Sequence, residues 1–353
     1  MGIFNTMFNF NGKVMKDLSD YNHFVGCDVS KGTLDFAIYE RGKDYRGFQH
    51  ERFSNAKEGF QAMRKWLRSN KIDLKKTVIA MEYTGIYSEA LSEWCHKQKI
   101  AFVMLHPADV RRADTRGRNK TDKEDSQFIA DYIYTQREKL TPSAPEPSII
   151  KTLRNLQNER KLAVNSRTSY KNQIKGVTDK SAVSRMQKMI KIFDEQVKTI
   201  EKKMMELVRS DESLSKNYDL LKSIPGIGMI NIIATIIATA NFTRFQTSRQ
   251  YAKFVCVSPI ARESGTSVRG GNHVTMAGHR QLKGLLTQGA RSAIEKDPQM
   301  KAYYERKRKE GKSHGCVMNA VKFKLICRMF AVINRQEPYV DIEKYKSKFK
   351  KAS

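Results

Sequence analysis

The sequence predicts an α/β domain built on a mixed sheet, followed by long charged helices and then a mainly helical C-terminal domain. Three observations carry this. Strand-length apolar runs at 24–29, 34–39, 77–81 and 100–105 are interleaved with helical spacing at 58–69 and 87–97. From 149 to about 221 the chain is charged and helical in period, with no strand signal. Beyond 222, apolar helices flank one long glycine-rich stretch.

In chain order, residues 1–20 read as a polar, poorly ordered lead-in. Tyr21 to Glu40 reads as two strands around a tight turn at Ser30-Lys31-Gly32. Asp28 sits inside the first apolar run, where an acid is costly unless something positive faces it. It marks either a metal site or a strand-end cap on the turn. His50 to Ser54 adds a third strand, and Phe60, Met63 and Leu67 share one face of a helix. Thr77 to Met81 is a short buried strand closed by Glu82, a second acid at a strand's carboxyl end, where α/β sheets place their chemistry.

A basic arm follows the strand at 100–105. Arg111, Arg112, Arg116, Arg118, Lys120 and Lys123 lie within it, and it reads as a flexible loop seeking phosphate. It runs into a helix capped by Thr121, on which Asp122 and Asp125, three apart, share a face. Acids at a helix start also favour its dipole, so both readings stand there. Pro142, Pro145 and Pro147 mark a linker. Ile190, Phe193, Val197, Ile200, Met204 and Leu207 form a seam at spacings of three and four. With Gly176 to Ser181 as the break, this predicts two antiparallel helices, paired either between chains as a coiled coil or within a bundle.

The last domain opens with SIPGIG before an apolar helix, a turn whose backbone N–H groups could hold a phosphate. The stretch 258–280 reads as a long loop containing Ser264, Arg269, His273 and His279. Helices at 281–294 and 320–333 follow, with a basic segment at 301–312 between them and a lysine-rich tail at 344–351. The expected organisation is lead-in 1–20, an α/β domain carrying the acids 21–145, coiled-coil helices 146–221, a mainly helical domain 222–340 and basic tail 341–353.

Net charge sets the partner class. With 65 Lys and Arg against 37 Asp and Glu, the chain carries +28, which points to a polyanion. No apolar run is long enough to span a membrane, and no signal peptide is legible. Five scattered cysteines without Cys-x-x-Cys spacing argue for free thiols in a reducing, cytoplasmic setting and against structural zinc. Four carboxylates with no histidine or cysteine ligand suit Mg2+ or Mn2+.

Strand Asp28, strand Glu82, then Lys-Thr-Asp-x-x-Asp on a helix resembles the RuvC-like, ribonuclease-H-type domain of DEDD transposases. IPGIG, Arg244-Phe245, Pro259 to Ser264-Gly265, and AGHRQLK at 277–283 resemble the C-terminal domain of the same proteins. Together they resemble the insertion-sequence-110 family, the bridge-RNA-guided recombinases, over roughly residues 22–340. The resemblance implies that Asp28, Glu82, Asp122 and Asp125 hold the metal. It implies that Ser264 attacks a DNA phosphate to form a phosphoserine link. It implies too that a structured guide RNA pairs with target and donor DNA, and that the chains assemble as dimers and tetramers. Arg111, Arg112, Arg116, Arg118, Lys120 and Arg269 are the expected nucleic-acid contacts. The competing readings are a metal-dependent nuclease or junction resolvase, an unguided DNA invertase, and a non-catalytic binding protein.

Overall fold

A computed structural model describes residues 17–114, 121–258, 260–264, 268–273 and 280–341. Tertiary contacts divide the chain into two units, which meet in sequence at Pro145 and Glu146.

The first unit is a five-stranded mixed sheet in the order β3-β2-β1-β4-β5. Its strands are β1 (His23–Val29), β2 (Thr33–Ile38), β3 (Gln49–Ser54), β4 (Thr77–Glu82) and β5 (Ala101–Leu105). β1 to β3 are antiparallel neighbours, whereas β4 and β5 join parallel to β1 through helical crossovers. The hairpin closes at Ser30, whose N–H donates to the Thr33 carbonyl at 3.0 Å. The helices are α1 (Lys57–Ser69), α2 (Ile86–Lys97), α3 (Pro107–Ala113) and α4 (Asp122–Thr135).

Strand alternation sorts the side chains onto two faces. Val25, Cys27, Val29, Leu34, Phe36, Ile79 and Met81 pack with Phe60, Met63 and Leu67 of α1 and with Leu91 and Cys95 of α2. Phe24, Val78 and Ala80 pack with Ile129 and Ile133 of α4 on the opposite face. At Gly26 the approach is too close for any side chain: an added Cβ would lie 2.1 Å from the Ser126 carbonyl oxygen and 2.4 Å from the Ala130 nitrogen. That glycine lets α4 lie directly on β1. The Gln127 amide fixes the other side by donating to the Phe48 and Arg46 carbonyls at 2.8 and 3.1 Å.

Two expectations are corrected in this unit. The end of the lead-in is ordered, because Leu18 is buried and its N–H donates to the Arg137 carbonyl at 2.9 Å. The first part of the basic arm is helix rather than loop, with Arg111 and Arg112 in the last turn of α3, where cations favour the dipole.

The second unit is helical: α5 (Ser148–Gln173), α6 (Lys180–Arg209), α7 (Glu212–Lys222), α8 (Met229–Thr239), α9 (Ser248–Phe254), α10 (Arg280–Lys296), α11 (Pro298–Lys309) and α12 (His314–Arg335). α5 and α6 run antiparallel, tied by Arg160–Glu201 at 2.7 Å and Arg167–Asp194 at 2.6 Å. Their far ends join the unit's own core. Ile150, Leu153, Ile200, Met204 and Val208 cluster with Leu221, Ile232, Ile236, Leu325 and Met329. The IPGIG turn is committed to packing. Gly226 has φ +90°, and a Cβ there would meet the Ala293 backbone nitrogen of α10 at 2.6 Å.

The stretch expected as an irregular loop contains a hairpin, β6 (Ile260–Ser264) and β7 (Val268–His273), antiparallel with a register shift between Ile260 and Arg262. Its sequence hides the strands because arginine, glycine and asparagine replace the apolar alternation of a half-buried strand. Among the described residues no helix is long and apolar enough to cross a membrane. Cys27, Cys95, Cys256, Cys316 and Cys327 form no disulfide.

Candidate acidic site

The α4 face of the sheet carries the acids expected as ligands. Phe24, Gly26 and Asp28 alternate onto it from β1, and Val78, Ala80 and Glu82 from β4. β1 and β4 run parallel and pair as far as Cys27 with Met81, so Asp28 and Glu82 are the next residues at the same end of the sheet. Since α4 crosses β1 at Gly26 with Ser126 and Ala130, the turn before Ser126 is carried toward Asp28. That turn bears Asp122 and Asp125. Thr121 caps it, its hydroxyl oxygen accepting from the Glu124 N–H at 3.2 Å.

The electrostatics of Asp28 register this convergence. Its carboxyl pKa is pushed up to about 7, first by burial and then by the charges of Asp125, Asp122, Asp35 and Glu82. All four sequence-expected carboxylates therefore act within one electrostatic neighbourhood. Among the described residues, no three His, Cys, Asp or Glu side chains are gathered closely enough to hold a metal ion as they stand. The donor set is nonetheless all carboxylate oxygen, the chemistry of a hard divalent cation.

Sequence reasoning missed three members. Asp35 lies directly opposite Asp28 in the β1–β2 pair, and Arg52 lies opposite Asp35 in the β2–β3 pair. Asp35 is only 2% exposed. Arg52 Nε donates to both of its carboxylate oxygens at 3.0 Å, and His50 Nε2 lies 2.7 Å from Oδ1. The same guanidinium reaches onward, its Nη2 donating to Asp122 Oδ2 at 2.9 Å. A row of side chains thus runs from the edge strand to the acids. The signal was present in the hairpin: a turn at Ser30–Thr33 fixes the register that sets residue 35 across from residue 28.

The remaining expected residues fall elsewhere. Ser264 ends β6, its backbone opposite Val268, and Arg269 lies on β7 opposite Glu263. Arg111 and Arg112 are exposed, with Arg112 Nη1 3.9 Å from Asp109. Arg116, Arg118 and Lys120 lie outside the described residues.

Comparison with known proteins adds a separate line of information. Residues 25–181 match a family model described as "Transposase", of the IS110 DEDD type. Residues 218–305 match one described as "Transposase IS116/IS110/IS902 family". The chain is 23% identical over 326 residues to the pilin gene-inverting protein of Moraxella bovis, covering 90% of this chain and 97% of that protein. It is 30% identical over 114 residues to an uncharacterized 43.6 kDa protein of insertion element IS110 from Streptomyces coelicolor, covering 32% and 28% of the two chains. Over 155 residues it is 27% identical to the transposase for insertion sequence element IS1111A of Coxiella burnetii, covering 41% and 40%.

Proposed function

This chain belongs to the IS110 family of transposases, and from that premise we propose that it is a DNA recombinase joining strands through a serine ester beside a divalent-cation site. Asp28, Glu82, Asp122 and Asp125 would hold Mg2+ or Mn2+. The observation that supports this most directly is Asp28 itself, half buried, with carboxylates as the charges acting on it. Such a group is stable when ionised only if a cation offsets its neighbours. A bound ion there supplies positive charge to a phosphoryl oxygen.

The chain's own contribution is the nucleophile. The Ser264 hydroxyl oxygen bonds to phosphorus, the bond to the departing strand's oxygen breaks, and the serine proton ends on that oxygen. Reversal with a second strand end restores Ser264 and the phosphodiester, so no ATP is consumed. The Ser-Gly context of the resemblance supports this role, as does the position of Ser264 inside the second family match. The basic excess suits a structured guide RNA together with target and donor DNA, held by chains assembled as dimers or tetramers. Arg111, Arg112, Arg116, Arg118, Lys120 and Arg269 are the proposed backbone contacts, and DNA as substrate suits a cytoplasmic protein associated with the nucleoid.

A second reading is favoured by one finding: the match running nearly end to end along a pilin gene-inverting protein supports inversion of a DNA segment, which in this reading proceeds unguided. The test of the chemistry is a protein–DNA adduct that survives denaturant. It is expected with the wild type and absent from Ser264→Ala. Cleavage persisting in Ser264→Ala would replace the serine ester by water attack, the resolvase reading. Adduct formation that is unchanged after ribonuclease treatment of the purified protein would favour the unguided invertase.

A further inference from the structure

Arg52 joins two of the acids, Asp35 and Asp122, and holds them unequally. Its Nε grips both oxygens of Asp35, which is almost wholly buried, whereas its Nη2 takes a single oxygen of Asp122. The first contact is fixed, since a buried carboxylate stripped of its charge partner would be strongly disfavoured. The second is exchangeable, because Arg52 and Asp122 are 52% and 56% exposed and an ion pair so exposed holds weakly. Asp122 is also the first residue of α4 and the most exposed of the four expected ligands.

We propose that Arg52 is a positioning residue that latches Asp122 away from the cation site and releases it when a DNA phosphate takes the guanidinium. This inference rests on the cation-site reading above. With the latch closed, Asp122 is satisfied by Arg52. Phosphate is the other anion a guanidinium fork accepts well. Arg52 stays on Asp35 throughout, so only the weak arm changes partners. Cation binding and DNA binding are then coupled through one side chain, and by linkage each strengthens the other.

The experiment is Mn2+ titration of the full chain by calorimetry, with bound Mn2+ checked by electron paramagnetic resonance, in R52Q, D122N, the R52Q/D122N double variant and D28A. R52Q is expected to bind Mn2+ about fivefold tighter than wild type, the factor an exposed ion pair can supply. In the D122N background the same change is expected to do nothing, because the latch has lost its partner. A short duplex DNA, with the D28A complex as blank for Mn2+ on the DNA, is expected to tighten Mn2+ binding in wild type and not in R52Q. Because R52Q leaves Asp35 with His50 alone, R52Q/D35N repeats the measurement without a stranded buried charge. Unchanged or weaker Mn2+ binding in R52Q overturns the latch, as does equal tightening in the D122N background. If D28A binds Mn2+ as wild type does, the cation-site reading itself falls and takes the latch with it.

Discussion

In Asp28, burial and four neighbouring acids act in the same direction, raising the carboxyl pKa from 3.8 to about 7. The sign of the consequence follows directly. Between those values the folded chain holds a proton that the unfolded chain has lost, so stability falls as pH rises through this window. Asp28→Asn removes the penalised charge and keeps the shape. Without divalent metal at pH 8 it should raise the first unit's melting temperature, by roughly 2–8 °C after discounting for partial exposure. The gain should shrink at pH 5, where the wild-type carboxyl is largely protonated. Mn2+ should then stabilise wild type and leave the variant unmoved, as calorimetric melts with and without the ion would show. A lower melting temperature for Asp28→Asn at pH 8 would make this carboxylate structural. Asp28 and Glu82 were legible in the sequence because each interrupts or ends an apolar run. Asp35 was equally interrupting but was absorbed into Leu34 and Phe36, and Arg52 sits on a polar edge strand that carries no periodic signal.

At the scale of elements, the site depends on how closely α4 approaches β1. The strands, their faces and the helix bearing Asp122 and Asp125 could be read from alternation and spacing. The approach could not, because a glycine in a strand equally suits a bulge or a bend. Gly26→Val would drive a side chain into the backbone of Ser126 and Ala130. It should cost about 1–3 kcal/mol by overpacking and lift the acid-bearing turn away from Asp28. Urea unfolding and Mn2+ titration should therefore fall together. Gly32→Ala is the matched control, since nothing lies within 4 Å of the added carbon. Loss of stability in Gly26→Val with unaltered Mn2+ affinity would separate helix seating from ligand placement. The β6–β7 hairpin shows the opposite limit of legibility. Its strands are specified by backbone pairing across a sequence of arginine, glycine and asparagine, so the feature that carries Ser264 has no hydrophobic pattern to read.

For the whole molecule, charge rather than shape gives the testable quantity. The excess of +28 sits on a chain whose two units each have hydrophobic clusters of their own. Its consequence is sequence-independent attraction to nucleic acid. If about six to ten phosphates are contacted, affinity for an arbitrary duplex should fall roughly 10³- to 10⁵-fold between 50 and 200 mM salt. Filter binding or fluorescence anisotropy across that range gives the slope directly. A serine ester behaves otherwise, because a covalent bond has no counterions to release. Binding measured after a high-salt wash should therefore divide into a fraction that disappears and a fraction that stays. The retained fraction should vanish in Ser264→Ala while the salt slope of the remainder is unchanged. A slope that flattens in Ser264→Ala would place the serine among the phosphate contacts, and retention without Ser264 would assign the stable complex to something other than an ester at that residue.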